Sequence, residues 1–206
     1  LTVALAYAAL LEEEATGHMR EHLDQVVRAA MQLKSDIDAM VSLQQIDTGE
    51  AQVKLVDMEI AQAVNSALEN LHLLAERKKQ RVNVELPPDL PLVRADRRVL
   101  YLILSNLLSN AIKFTPDEGS IFISAHVAGD NVLTTIKDTG IGIPKGELER
   151  IFERFYQVED SLRREHGGIG LGLAIAREMA ELTGGVIGVE SEVGRGSTFS
   201  LSLPRA

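Results

Sequence analysis

The N-terminal part of the chain places its apolar residues at helical spacing. Residues 1–13 are predicted to form a helix because their apolar side chains share one face. Residues 12–17 are mostly polar and include a glycine, which suits a short connection. A second helix is predicted over residues 18–47, where apolar positions alternate in steps of four and three. These positions are Met19, Leu23, Val26, Ala30, Leu33, Ile37, Met40 and Gln44.

The apolar stripe on the second predicted helix is wider than a two-helix seam. Val27, Met31 and Val41 broaden it, as in a helix of a four-helix bundle. Because one hairpin cannot bury such a stripe, we expect a homodimer through residues 1–48, in which two hairpins form one bundle. The alternative is an intramolecular hairpin that packs on the rest of the chain.

Beyond Thr48-Gly49 the hydrophobic pattern becomes mixed. Runs with strand alternation now stand between segments of helical period. The predicted strands are 53–56, 81–86, 92–93, 121–127, 132–137, 186–190 and 197–203, and the predicted helices are 60–80, 96–114 and one that ends at Leu182. We therefore expect an α+β chain: a helical hairpin over residues 1–48, then a two-layer α/β sandwich with a mixed sheet over residues 49–206.

Composition and charge limit the possible functions. The chain has 206 residues, of which 45% are hydrophobic and 25% charged, as in ordinary globular proteins. It has no cysteine, which excludes disulfides and thiolate metal sites. The net charge of -9 argues against nucleic-acid binding, which favours a basic surface. The longest apolar run, residues 1–11, is too short to span a bilayer.

Two asparagines stand four residues apart in the helix predicted over residues 96–114 and therefore share one face. Asn106 and Asn110 lie among residues of core character, so their carboxamides need partners. They either bond a neighbouring loop or provide hard oxygen ligands for Mg²⁺, which is usually shared with substrate phosphates. Lys113 suits a phosphate and Phe114 suits stacking on a base, although each also fits an ordinary surface or core position.

Two glycine clusters frame the segment from Asp138 to Ala174. The first, D-T-G-I-G-I-P (138–144), follows a predicted strand and begins with a carboxylate. That carboxylate either caps its own turn or accepts a hydrogen bond from an exocyclic amine such as that of adenine. The second, G-G-I-G-L-G-L (167–173), leads into a helix whose first N–H groups suit phosphate oxygens. Together the clusters predict a nucleotide site with a mobile lid.

The segment between the glycine clusters gathers aromatic and charged residues. Its first part is I-F-E-R-F-Y (151–156), at the predicted base of the lid. Arg154, Arg163 and Arg164 are candidate phosphate contacts, although a solvated charged face is the alternative for the latter two.

The order and spacing of these motifs resemble the catalytic end of a sensor histidine kinase of two-component systems. The matching stretches are L-S-N-L-L-S-N-A-I-K-F-T (104–115), both glycine clusters, I-F-E-R-F-Y and G-R-G-S-T-F-S-L (194–201), and L-Q-Q-I-D-T-G (43–49) is similar to the exit of the family's dimerisation helix. The resemblance covers essentially the whole chain. It implies a GHKL-type kinase that transfers the γ-phosphoryl of ATP to a His of the dimerisation helix, for relay to an Asp of a response regulator receiver domain.

The same resemblance implies ATP and Mg²⁺ as cofactors. Asn110, helped by Asn106, would hold Mg²⁺, Asp138 would read adenine, and the glycine-rich lid would close over the phosphates. The implied nucleotide-binding residues are Asn106, Asn110, Lys113, Phe114, Asp138, Gly140, Gly142, Ile143, Arg154, Phe155, Gly168, Gly170, Leu171, Gly172, Leu173 and Thr198. For this segment we expect a cytoplasmic location, with no direct membrane contact and no nucleic-acid partner.

The sequence departs from the family pattern at the phosphoacceptor. The family motif S-H-E-L-R-T-P-L is absent, and Leu1-Thr2-Val3 is similar to its continuation. We therefore expect the acceptor His just upstream of residue 1, and expect that this chain does not autophosphorylate. His18 lacks the surrounding motif. Ile169 stands where the family often has Ser or Thr, which removes a possible phosphate hydrogen bond.

Two other functions compete with this interpretation. An ATPase of the related gyrase and heat-shock chaperone type needs a general-base Glu on the helix where this chain has Asn106. A non-catalytic, dimeric ATP-binding signalling module belongs to a different class. The asparagine and glycine motifs argue against it, and nucleotide binding tests it.

Overall fold

The structure is a computed structural model that describes residues 53–158 and 169–206. It also describes seven single positions: Val26, Ala30, Ile37, Met40, Val41, Gln44 and Thr48. The first six are helical, in agreement with the second predicted helix, and Thr48 lies in a turn. The first predicted helix and the segment 159–168 lie outside the described residues. The proposed boundary at residues 48–49 stays a prediction.

Within residues 53–158 and 169–206, seven strands and three α-helices follow one another. They are β1 (Val56–Met58), α1 (Ile60–Arg77), β2 (Arg81–Glu85), β3 (Val93–Ala95), α2 (Arg97–Phe114), β4 (Ser120–Ala128), β5 (Asn131–Asp138), α3 (Gly172–Leu182), β6 (Val186–Glu192) and β7 (Gly196–Pro204). Short 3-10 turns at Lys145–Glu147 and Arg150–Phe152 lie between β5 and α3.

Five strands form one sheet in the order β2-β4-β5-β7-β6. β2 runs parallel to β4, whereas the other neighbours are antiparallel. This confirms the mixed sheet expected from the sequence. β1 and β3 form a separate antiparallel pair, which the sequence analysis did not separate from the main sheet.

The three helices cover one face of the sheet. Along β5, Val132, Thr134, Ile136 and Asp138 are buried, whereas the alternate residues are half-buried or exposed. Helix α2 contacts α1, α3 and β5, so it lies centrally in the helical layer. Its fully buried side chains are Leu100, Ile103, Leu104, Leu107 and Leu108. Their burial removes a large apolar surface from water and stabilises the two-layer sandwich.

Helix α2 begins at a buried aspartate that also binds the incoming chain. Asp96 Oδ1 accepts hydrogen bonds from the N–H groups of Arg98 and Val99 and therefore caps the N-terminus of the helix. Its other oxygen, Oδ2, accepts from Lys54 N at 2.8 Å. Strand β1 starts at Val56 rather than at the predicted Val53, because its pairing partner is the short strand β3.

Helix α1 ends at Arg77, three residues before the predicted end. Lys79 adopts φ 51°, in the left-handed region. Lys79 N donates to Glu76 O and Gln80 N donates to Ala75 O, which is a Schellman arrangement. This helix end was not predictable from the sequence, because glycine usually occupies the left-handed position and lysine stands there instead.

In the described part of the chain, no helix is long and apolar enough to cross a membrane.

Candidate functional site

The two asparagines lie on the central helix at the edge of its buried face. Asn106 and Asn110 are half-buried, whereas Leu107 and Leu108 between them are buried. Among the described residues, none is hydrogen-bonded to either carboxamide, so the loop bonding that the sequence left open is not seen there. A Cβ at Gly172 would lie 3.1 Å from Asn106 Oδ1, so the first turn of α3 passes close to this amide.

The chemistry of these donors fits Mg²⁺ that is shared with a nucleotide. Carboxamide oxygens are hard ligands, and Mg²⁺ usually takes few protein ligands together with substrate phosphates and waters. Within the described ranges no group of three or more His, Cys, Asp or Glu could hold a metal ion. A metal at Asn106 and Asn110 would therefore depend on oxygens that a bound phosphate supplies.

Asp138 ends β5 with its carboxylate buried on the helical side of the sheet. It is 4% exposed, and its Oδ1 accepts from Gly140 N at 2.7 Å and from Ser197 N at 3.2 Å. No donor from the described residues binds Oδ2. Burial raises the pKa of Asp138, and the two backbone hydrogen bonds oppose this rise only in part. The carboxylate thus caps its own turn and still has one oxygen for an external donor.

The loop after Asp138 is closely packed on the ends of β6 and β7. Gly142 has φ 71° and Gly196 has φ 105°, both in the region that favours glycine. A side chain at Gly196 would collide with the carbonyl oxygen of Asp138, and one at Gly142 would collide with that of Glu192. Ile143 N donates to Ser191 Oγ at 2.8 Å, which fastens the far end of the loop.

Thr198 differs from the expectation for a site residue. It pairs with Lys137 and Glu190, and strand alternation places it on the sheet face opposite Asp138. Its neighbour Ser197 is buried and binds Asp138 through its N–H. We therefore replace Thr198 by Ser197 in the candidate site.

The described residues on the two sides of segment 159–168 are joined by a hydrogen bond. Phe155 N donates to Gly170 O at 3.0 Å, and Phe155 itself has φ 64° with 63% of its surface exposed. Arg154 makes a two-pronged ion pair with Glu178 of α3, at 2.8 and 2.9 Å. The guanidinium of Arg154, which was predicted to contact a phosphate, therefore also binds helix α3. Gly168, Arg163 and Arg164 lie outside the described residues.

The four remaining predicted residues lie at the end of α2 and at the start of α3. Lys113 Nζ lies 5.1 Å from the ring centroid of Phe114 at the end of α2. Leu171 is buried under the start of α3, and Leu173 is half-buried beside it. Phe114 O also accepts a hydrogen bond from Ile141 N at 3.2 Å. This bond holds the end of α2 close to the loop that follows Asp138.

Comparison with known proteins identifies the family. Residues 95–206 match the model of the histidine kinase-, DNA gyrase B-, and HSP90-like ATPases. The chain belongs to this family. The circadian input-output histidine kinase CikA of Synechococcus elongatus is 36% identical over 195 residues, which are 92% of this chain and 25% of CikA. The sensor protein DivL of Caulobacter vibrioides is 35% identical over 206 residues, 99% of this chain and 26% of DivL.

The family's fold is also seen in solved structures. Full-length ShkA in complex with AMPPNP has a TM-score of 0.75 at 27% identity, over 98% of this chain and 42% of ShkA. These matches confirm the resemblance to sensor histidine kinases and the α/β sandwich. The chain spans about a quarter of the length of CikA and of DivL.

Proposed function

We propose that this chain is the ATP-binding catalytic part of a histidine kinase. It would transfer the γ-phosphoryl of ATP to a His on a dimerisation helix, for relay to an Asp of a response regulator. Membership of the ATPase family supports nucleotide binding, and the similar chain ShkA was solved with AMPPNP. The acceptor His, the cytoplasmic location and the regulator belong to this proposal.

The observation that carries the proposal is the geometry of Asp138. Its Oδ1 is held by two backbone N–H groups, so the direction of Oδ2 is fixed before a ligand arrives. A fixed, buried acceptor suits the exocyclic amine of adenine and rejects a base that presents a carbonyl oxygen there. Asp138 would therefore orient the base, and the end of α2 would face the phosphates.

Asn106 and Asn110 would hold Mg²⁺ in this site. When bound, the ion neutralises charge on the phosphate oxygens, and the protein supplies position and electrostatics rather than covalent chemistry. The half-buried carboxamides have no hydrogen-bond partner among the described residues, which supports this role.

A homodimer through residues 1–48 is part of the same proposal. Four apolar side chains of the second helix, Val26, Ile37, Met40 and Val41, are 57%, 47%, 51% and 49% exposed. Apolar positions on one helix that stay exposed suit burial against a second copy.

The direct test supplies the acceptor in trans. The chain is incubated with Mg²⁺, γ-labelled ATP and a separate dimerisation helix that carries the family motif S-H-E-L-R-T-P-L. Acid-labile, alkali-stable label on that helix supports the kinase. A helix with the acceptor His replaced by Gln is the control and should stay unlabelled. ATP binding without any transfer would favour the non-catalytic signalling module.

A second test separates the metal site from the fold. Asn110→Ala is expected to abolish Mg²⁺-dependent ATP binding in a calorimetric titration and to leave the circular dichroism spectrum unchanged. Asn70→Ala is the matched control, because Asn70 is an exposed asparagine on α1. Unchanged affinity of Asn110→Ala would contradict the assignment of the metal ligand.

A further inference from the structure

The last turn of α2 is held by two side chains that come from the end of α1. Lys78 Nζ donates to the carbonyl oxygens of Ile112, Lys113 and Thr115 at 2.9, 3.0 and 2.5 Å. Gln80 Nε2 donates to those of Ile112 and Thr115 at 2.9 and 2.7 Å. We call Lys78 and Gln80 the α1 clamp. It satisfies carbonyls that a helix end otherwise leaves without intrahelical partners.

The backbone after α1 makes this double contact possible. The left-handed Lys79 reverses the chain between the two clamp residues, so that both side chains reach the same helix end. The contact is reciprocal, because Glu118 N donates to Lys78 O at 2.8 Å. Burial lowers the pKa of Lys78, and the nearby Asp117 opposes this shift. A half-buried cation at a helix C-terminus also interacts favourably with the helix dipole.

One carbonyl of this turn is not bound by the clamp, and it contacts the nucleotide site. Phe114 O accepts from Ile141 N at 3.2 Å. A Cβ at Gly140 would lie 2.6 Å from the same oxygen, so the glycine loop is packed directly on it. Gly140 N in turn holds Asp138 Oδ1. The clamped turn, the glycine loop and the carboxylate thus form one continuous set of contacts.

We propose that Lys78 and Gln80 are positioning residues of the nucleotide site, which act through the last turn of α2 on the Gly140 loop and on Asp138. The inference rests on the proposed ATP binding. Without the clamp, the carbonyls of Ile112, Lys113 and Thr115 would turn to water, and the Phe114 carbonyl would no longer be held against Gly140. The adenine acceptor and Lys113 would then lose their fixed relative positions, which weakens ATP binding.

The experiment compares three variants of the whole chain. Lys78→Met removes the ammonium and keeps the aliphatic stem. Gln80→Met removes the second donor and is the milder change, since Gln80 Oε1 has no hydrogen-bond partner among the described residues. Thr183→Val is the matched control, because the buried Thr183 hydroxyl binds the last carbonyls of α3, those of Met179 and Ala180. Thr183→Val also loosens the C-terminal end of a helix, but this end lies about 16 Å along α3 from Gly172 and so away from the candidate site.

ATP affinity with Mg²⁺ is measured by calorimetry, well below the thermal midpoint of each variant. We expect Lys78→Met to weaken binding at least about tenfold and Gln80→Met by a smaller factor, because a misplaced acceptor loses its hydrogen bond. Thr183→Val should bind like the unmodified chain even where it lowers the midpoint. If all three variants bound ATP with the affinity of the unmodified chain, the positioning role of Lys78 and Gln80 would be overturned.

A second measurement distinguishes positioning from a general loss of stability. Amide hydrogen exchange at Ile141 should rise in Lys78→Met and Gln80→Met and stay unchanged in Thr183→Val, because this amide reports the bond to Phe114 O. Protection of Ile141 that is unaffected in all variants would also contradict the inference. If the unmodified chain itself binds no ATP, the proposed function fails, while the exchange result still tests the mechanical link.

Discussion

Asp138 has two oxygens with different tasks, and a single isosteric change separates them. In Asp138→Asn, Oδ1 keeps its bonds to Gly140 N and Ser197 N, but an NH₂ group replaces Oδ2. A donor would then face the adenine amine. We expect ATP affinity to fall at least about tenfold, since a hydrogen bond to a charged group contributes about 1.5–3 kcal/mol. Calorimetry measures this. Asp130→Asn, an exposed carboxylate just before β5, should have no effect.

The raised pKa of Asp138 also predicts how stability varies with pH. The folded state takes up this proton more readily than the unfolded state, so the group stabilises the fold at low pH and this contribution is lost as pH rises through the folded pKa. Asp138→Asn should therefore be at least as stable as the unmodified chain at neutral pH, and its relative advantage should shrink on acidification. Urea unfolding at several pH values checks this. The prediction would be contradicted if the stability of Asp138→Asn relative to the parent were lower at neutral pH than at acidic pH.

In the proposed nucleotide binding, ionisation of Asp138 should have the opposite pH dependence. Only the ionised carboxylate accepts at both oxygens, so ATP affinity should decrease as pH falls toward the raised pKa of Asp138. Titrations at several pH values should show this decrease in the parent chain. In Asp138→Asn, the part of this decrease that comes from protonation of Asp138 should be absent. An identical pH profile of ATP affinity in both proteins would refute Asp138 as the adenine acceptor.

Lys79 is a residue whose backbone state the sequence did not reveal. Its left-handed conformation costs about 1–2 kcal/mol for a residue with a Cβ. Lys79→Gly should raise the free energy of unfolding by about 0.5–1 kcal/mol, because part of the gain is lost to the more flexible unfolded chain. Lys79→Ala keeps the strain and is the control. Chemical denaturation of both variants gives the comparison, and equal stabilities would disprove the strain.

At the level of elements, period and alternation predicted most of the sheet and all three described helices. The helix predicted over residues 96–114 has nearly the limits of α2, and the predicted strands 132–137 and 197–203 lie within β5 and β7. What failed depends on contacts between distant parts of the chain. β1 moved to Val56–Met58 because β3 is its partner. Thr198 was chosen over Ser197 because the face of a strand is set by its neighbours in the sheet.

The motifs of the candidate site were predictable from the sequence, but the residues that hold these motifs in place through hydrogen bonds were not. Asn106, Asn110 and Asp138 were named from spacing and from resemblance, and the structure brings their elements together. Ser191, Ser197 and the α1 clamp were missed, because each acts through a hydrogen bond to a residue far away in sequence. Ile143 N and Ser191 Oγ, for example, belong to different elements and meet only after folding.

Asp96 connects two elements, and two substitutions separate its contributions. Asp96→Asn keeps the cap at Oδ1 but places an NH₂ group against Lys54 N–H, whereas Asp96→Ala removes both bonds. We expect Asp96→Ala to cost about 2 kcal/mol of stability and Asp96→Asn to cost less. Thermal unfolding measures both. If both variants lost the same stability, the hydrogen bonds at Oδ1 that cap α2 would contribute nothing beyond the contact of Oδ2 with Lys54.

The pKa of Asp96 gives a second check on the same element. Burial raises this pKa, but hydrogen bonds from Lys54, Val99 and Arg98, together with the charge of Arg98, outweigh burial and leave the pKa lowered. Its stabilising effect is therefore present above the unfolded pKa and is lost as pH falls through the folded pKa. The stability difference between the parent and Asp96→Ala should shrink in acid. A constant difference would show that Asp96 stays ionised in both states.

For the whole molecule, the apolar residues on the second predicted helix predict self-association. Ile37 is 47% exposed in the single chain. Ile37→Asp should convert a dimer to a monomer in sedimentation equilibrium at tens of micromolar, because a charge in a bundle seam is poorly solvated. Val193→Asp is the control, since Val193 is also exposed, at 63%, but lies in the turn between β6 and β7. A monomeric parent would disprove the dimer.

The bond from Lys54 N to Asp96 has a mechanical meaning for the assembled protein. It joins the chain that arrives from the preceding segment to the first turn of a rigid rod about 27 Å long. Asn106 and Asn110 sit on the same rod, and its far end is gripped by the α1 clamp. A pull or twist on the arriving chain would thus act at one end of a lever whose other end contacts the loop of the proposed nucleotide site. In the proposed kinase, force would enter the ATP-binding domain along helix α2, at the buried cap of its first turn.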